Sequence, residues 1–153
     1  MRFIGPYVDE IDRGRGDLLM ERIERGWPAF RGMAIEPLVR EAVGRLLVDP
    51  DYSRRLNGAR HVGSFWTRSN DVQVDLVGGS HPSRPDRIGF IGSIKWRENA
   101  AFTSRDVNDL AGQRRDVPGA EQAKLVGVSR RGFTDDAGGL DVKLMPDDLL
   151  AAW

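Results

Sequence analysis

"FIGSIKW" (90–96) reads as a β-strand, and its lysine decides how the rest of the chain is read. A second apolar run upstream, "VQVDLV" (72–77), has an aspartate near its middle. Side chains on a strand alternate between two faces. In the first of these strands Ile88, Phe90, Gly92, Ile94 and Trp96 fall on one face, and Gly89, Ile91, Ser93 and Lys95 on the other. In the second, Val72, Val74 and Leu76 oppose Gln73, Asp75 and Val77. With the register that matches these faces, strict alternation places Asp75 and Lys95 on one side of neighbouring strands. A packed sheet has no use for charge there unless the charges meet each other or a ligand.

Working outward, "RHVGSFWTR" (60–68) is a further strand, and "SN" (69–70) is a tight turn that joins it to 71–77 as a hairpin. "GGSHPSRPD" (78–86) is a loop by its Gly, Pro and Ser content, ahead of the strand over 87–96. "TSRDVNDLAGQRR" (103–115) reads as a helix capped by Thr103 or Ser104, with Asp106 favouring its positive end. "AKLVGVSR" (123–130) is a fourth strand and "GLDVKLM" (139–145) a fifth. "PDDLLAAW" (146–153) opens a short helix. Strand 123–130 is expected to run parallel to 87–96 after a helical crossover.

Before the sheet, "GMAIEPLVREAVGRLLV" (32–48) is the clearest helix. Leu38, Val39, Ala42, Val43, Leu46 and Leu47 form its apolar stripe. Pro37 belongs in a first turn, so the helix is expected to start near 33–36, apart from an earlier helix over 17–27. Glu36 falls near Val39, Val43 and Leu47 on the helical wheel, so its carboxylate faces the sheet. Glu36, Asp75 and Lys95 are thus expected to converge.

Composition bounds the rest. The chain has 153 residues, 40% hydrophobic and 30% charged, which is a globular balance in an α/β order. No cysteine is present, which excludes disulfides and thiolate metal sites and agrees with a cytoplasmic setting. No apolar run approaches the roughly 18 residues of a membrane helix. Net charge is zero, so the global field of a strong DNA binder is missing. Of the 23 basic residues only Lys95, Lys124 and Lys143 are lysines. The histidines, His61 and His81, lie at a strand edge and in a loop and do not suggest a pair. Trp66 and Trp96 read as core aromatics or as residues flanking the sheet edge. Residues 1–30 read as a connector and 31–153 as the domain. Phe3, Ile4, Tyr7 and Val8 suit packing on an absent module or on a second copy in a homo-oligomer.

The order α-β-β-β-α-β over 33–130, with Glu36, Asp75 and Lys95 in sequence, resembles the PD-(D/E)XK nuclease superfamily, which has a restriction-endonuclease-like core. "GMAIEPLVREAV", "VGSFWTRSNDVQVDLVG" and "FIGSIKWRE" are similar to the C-terminal domain of unknown function 234 found on archaeal-type ATPases. "RFIGPYV" (2–8) looks like the end of the winged-helix segment that precedes that domain. The chain has no G-x-x-x-x-G-K-[ST] phosphate loop, so an ATPase would be a separate or preceding module.

The resemblance implies that Glu36 and Asp75 hold Mg²⁺ or Mn²⁺ and that Lys95 orients or activates water. Ser93 stands where the motif has its second acid, and a hard cation wants charged oxygens. The implied role is therefore an accessory domain that binds DNA or a protein partner with degenerate catalysis. The alternatives are an active Mg²⁺-dependent endonuclease and an oligomerisation module. Gln113 matches an extra glutamine some nucleases of this fold use. Arg68, Arg97, Arg114 and Arg115 are the candidate nucleic-acid contacts. Asp75 and Lys95 equally suit a plain ion pair, with Glu36 sharing the lysine.

Overall fold

The structure, a computed structural model, describes residues 9, 12, 13, 16–69, 71–82 and 87–153. Two compact units divide at Ala34/Ile35. Phe3, Ile4, Tyr7 and Val8 lie outside the described residues.

The elements are α1 (Gly16–Leu46), α2 (Pro50–Arg55), β1 (His61–Trp66), β2 (Gln73–Gly79), β3 (Ile88–Lys95), α3 (Ser104–Gln113), β4 (Lys124–Ser129), β5 (Val142–Leu144) and α4 (Pro146–Leu150). The strands form one five-stranded mixed sheet in the order β1-β2-β3-β4-β5. β1, β2 and β3 pair antiparallel, and β4 and β5 continue in parallel. The predicted meander and the predicted parallel fourth strand are both present.

Helix 17–27 and helix 33–48 are one helix, α1, which runs through Pro28 and Pro37. Proline removes one helical hydrogen bond, but downstream of Pro37 the residues Val39, Ala42, Val43 and Leu46 are all buried. Packing along that stretch outweighs a single lost bond. Leu38 departs from the expected stripe and is 56% exposed. Sequence patterning also missed α2, which the Asp49 carboxylate caps by accepting from the backbone N–H of Asp51 and Tyr52.

In the unit from Ile35 onward, α1 and α4 pack on one face of the sheet against Leu76, Phe90, Ile94, Val126 and Val128. On the other face, Leu110 of α3 packs against Val74, Ile88, Ile91 and Leu125. Phe90 is fully buried, and its ring lies over Gly78, where any Cβ would run into it.

Strict alternation fails in β2. Gly63 pairs with Val77 and Phe65 with Val74, so three steps along β2 match two along β1. This is a β-bulge. It turns Leu76 toward the α1 face while Val74 and Val77 stay on the α3 face. Asp75 sits inside the bulge. A second irregularity between Gly78 and Gly79 separates Ile88 from Phe90 in the same way.

Candidate functional site

β2 and β3 pair from Gly79/Ile88 as far as Leu76/Gly92. Beyond that point they part, at the start of β2 and the end of β3. A cavity of about 570 Å³ opens there, lined by Glu36 of α1, Gln73 and Asp75 of β2, Ser93 and Lys95 of β3, and Asp106, Asp109 and Gln113 of α3. Glu36, Asp75 and Lys95 thus line one cavity.

The bulge decides what Asp75 does. Its Oδ2 accepts from the backbone N–H of Ile94 at 2.8 Å and from the Ser93 hydroxyl at 3.2 Å. The carboxylate takes a donor that the neighbouring backbone would satisfy in a regular ladder. Its own carbonyl oxygen accepts from Arg40 Nε and Nη2 at 3.3 and 3.2 Å. Arg40 therefore ties α1 to the bulge. Its sequence signal was the i, i+4 spacing from Glu36, which puts the two on one helix face.

The ion pair expected between Asp75 and Lys95 is replaced by another. Lys95 Nζ lies 3.9 Å from Asp106 Oδ1. The change follows from the bulge, which engages Asp75 with β3 backbone, and from α3, which brings a buried carboxylate to the lysine's own face. Asp106 is the residue sequence reasoning undervalued. Its oxygens accept from Arg97 Nη2 at 2.6 Å and Nη1 at 2.8 Å, a bidentate pair. Oδ2 also accepts from the Thr103 backbone N–H at 2.9 Å and hydroxyl at 3.0 Å, closing a capping box at the start of α3. Burial pushes its carboxyl up, but the Arg97 and Thr103 bonds outweigh that and hold it down at about 2. The signal was the spacing Thr103-x-x-Asp106, a capping-box pattern.

Glu36 is half-buried. Burial and then the Asp75 carboxylate raise its pKa, against the opposing pull of Arg40 and Lys95. Gln113 donates from Nε2 to the Gln73 carbonyl at 3.1 Å, joining α3 to the first residue of β2.

Of the four arginines proposed for nucleic acid, Arg97 is bound to Asp106 and also donates to the Ala101 carbonyl at 3.3 Å. Arg114 donates to the Ala123 carbonyl at 3.3 Å. Arg68 and Arg115 are exposed. His61 and His81, which gave no sign of a pair, bring their rings to 6.3 Å. Trp66, at the end of the outermost strand β1, flanks the sheet edge and is 55% exposed. Trp96 packs partly buried against the core.

The donor set does not fit a divalent cation. One Asp75 oxygen and both Asp106 oxygens already face protein donors, and Ser93 adds only a hydroxyl. Among the described residues no group of three or more His, Asp or Glu side chains is placed to hold a metal ion. No helix among the described residues is long and apolar enough to cross a membrane.

A family model described as Archaea bacterial proteins of unknown function, domain of unknown function 234, matches residues 1–109. The matched segment carries Glu36, Asp75, Lys95 and Asp106. No curated protein and no solved structure matches the chain. The chain belongs to the domain of unknown function 234 family.

Proposed function

We propose that this member of the family is an accessory domain with a restriction-endonuclease-like core and degenerate catalysis, serving an ATPase by binding a protein partner. The observation that carries the reading is the state of Asp75. The acid that would hold a metal instead accepts the Ile94 N–H and the Ser93 hydroxyl. The order of elements around the cleft supports a nuclease-like ancestry, and Ser93 in place of an acid supports its decay. Four carboxylates and one lysine line the cavity, and with Arg97 paired to Asp106 and Arg40 beside Glu36 the balance stays acidic, which supports a protein partner over DNA. Two of the four candidate arginines being engaged within the domain supports the same choice.

The competing reading, a Mg²⁺-dependent endonuclease, has one observation in its favour. Glu36, Asp75 and Lys95 line the same cavity, as a working site would require. Plasmid nicking separates the two. With Mg²⁺ or Mn²⁺ at neutral pH, supercoiled DNA is expected to stay intact at every protein concentration. Cutting that Asp75→Ala abolishes would overturn the proposal and establish the endonuclease.

A further inference from the structure

α4 has five residues, little more than one turn. It is too short to cover the apolar face that α1 presents over 35–42. A groove of about 430 Å³ is left between the two helices, and its lining is almost wholly apolar. Val39, Ala42 and Leu149 form its floor and belong to the core. Three large apolar side chains stand at its rim and are more than half exposed: Leu38 of α1, Leu150 at the end of α4 and Trp153 just beyond it. Exposed apolar side chains gathered in one patch mark a contact site, where single scattered ones need no explanation.

Shape and charge identify the occupant. A hollow lined by carbon needs an occupant that presents large apolar side chains. This chain does so at the groove itself, where Leu150 is 69% and Trp153 66% exposed. A patch that carries both a hollow and projections can meet a second copy of itself about a twofold axis, each copy giving what it receives. The Trp153 indole is held ready for this. Arg45 stacks on its ring at 3.4 Å, and the same guanidinium is paired with Glu41 at 2.8 Å. The cation beside the groove is thus satisfied within the chain and selects no acidic partner. The 23 basic and 23 acidic residues leave no net charge to hold two copies apart.

We infer that this groove is the interface of a homodimer, in which Leu150 and Trp153 of each copy seat in the hollow of the other. Permanent interfaces between like chains are the most apolar class, and the lining here fits that class. The inference goes beyond the accessory role proposed above and stands apart from it, because self-association and plasmid nicking are separate readouts.

The test is sedimentation equilibrium of the full chain from about 5 to about 500 µM. A monomer–dimer equilibrium with a Kd of about 100 µM or tighter is expected. Leu150→Glu and Leu38→Glu each place a carboxylate in the interface and should weaken it about tenfold or more. Both sites are exposed, so melting temperatures at the dilute end should match that of the unmodified chain. Val48→Glu changes an α1-flanking side chain that is 86% exposed but lies outside the groove, and should leave the dimer intact. Raising salt from about 50 to about 500 mM should not weaken the dimer, because its contact is apolar and not ionic. The inference fails if the chain stays monomeric at every concentration, if Leu150→Glu dissociates the dimer no more than Val48→Glu does, or if salt dissociates it. A monomer that takes up an apolar dye, and loses that uptake in Leu150→Glu, would overturn it in favour of a small apolar ligand.

Discussion

Replacing Asp106 with alanine should cost more than any other single change in the cleft. The side chain is 6% exposed and accepts four hydrogen bonds, two from Arg97 and two from Thr103. Hydrogen bonds to a charged group contribute about 1.5–3 kcal/mol, and a helix cap about 0.5–2 kcal/mol. The contributions share one carboxylate and do not add in full. Arg97 is 40% exposed and regains water when its partner goes, which places the loss at about 2–4 kcal/mol. For a chain of this size that is a fall of about 5–15 °C in melting temperature. Asp106→Asn keeps an acceptor for the Thr103 N–H and should lose about half as much. The assay is thermal unfolding followed by circular dichroism, run as a cycle with Arg97→Ala. A coupling of about 1–3 kcal/mol between the two sites is expected. A loss under about 0.5 kcal/mol for Asp106→Ala would refute the view that this pair anchors α3 to the end of β3.

Acid titration provides a second check on Asp106. Its folded pKa, about 2, lies below the ordinary value of 3.8, so the carboxylate stabilises the fold above about pH 4 and loses that effect as pH falls toward 2. Asp106→Asn should flatten that part of the stability curve, and an unchanged acid limb would contradict the assignment. Glu36 has the opposite sign: its raised pKa means that the charged form opposes folding at neutral pH. Glu36→Gln should therefore raise the melting temperature at pH 7, with the gain disappearing in acid once both states are protonated. A lower melting temperature at pH 7 would show that Glu36 is held by a favourable partner. Gly78→Val should destabilise by about 1–3 kcal/mol or more, because the Phe90 ring occupies the space a side chain needs. A neutral outcome in denaturant unfolding would contradict the packing of Phe90 on Gly78.

The sheet was legible in the sequence because its strands carry strong local signals: apolar runs, a tight turn at 69–70 and a helix-forming stretch between β3 and β4. The cleft was only half legible. Spacing brought Glu36, Asp75 and Lys95 to one place, but the role of Asp75 depends on the bulge opposite Gly63 and Phe65, and "VQVDLV" alternates as if no bulge existed. A bulge is a property of two strands paired, and one strand read alone does not carry it. The partner of Lys95 was hidden for a similar reason. Asp106 read as a helix-end acid, which it is, but the same carboxylate reaches β3 only because α3 packs Leu110 against Ile91 and Leu125. Pro37 misled in the other direction. Its local effect is real, but several buried residues after it outweigh one missing hydrogen bond.

The claim at the centre of this account is that the cleft carboxylates serve protein donors and do not make a metal site. Calorimetric titration of Mg²⁺ and Mn²⁺ into the intact chain tests it most directly, beside Ser93→Asp, which adds a carboxylate next to Asp75. The unmodified chain is expected to show no saturable binding below about 1 mM, and Ser93→Asp to bind Mn²⁺ measurably more tightly. A submillimolar site in the unmodified chain that Asp75→Asn removes would contradict the account.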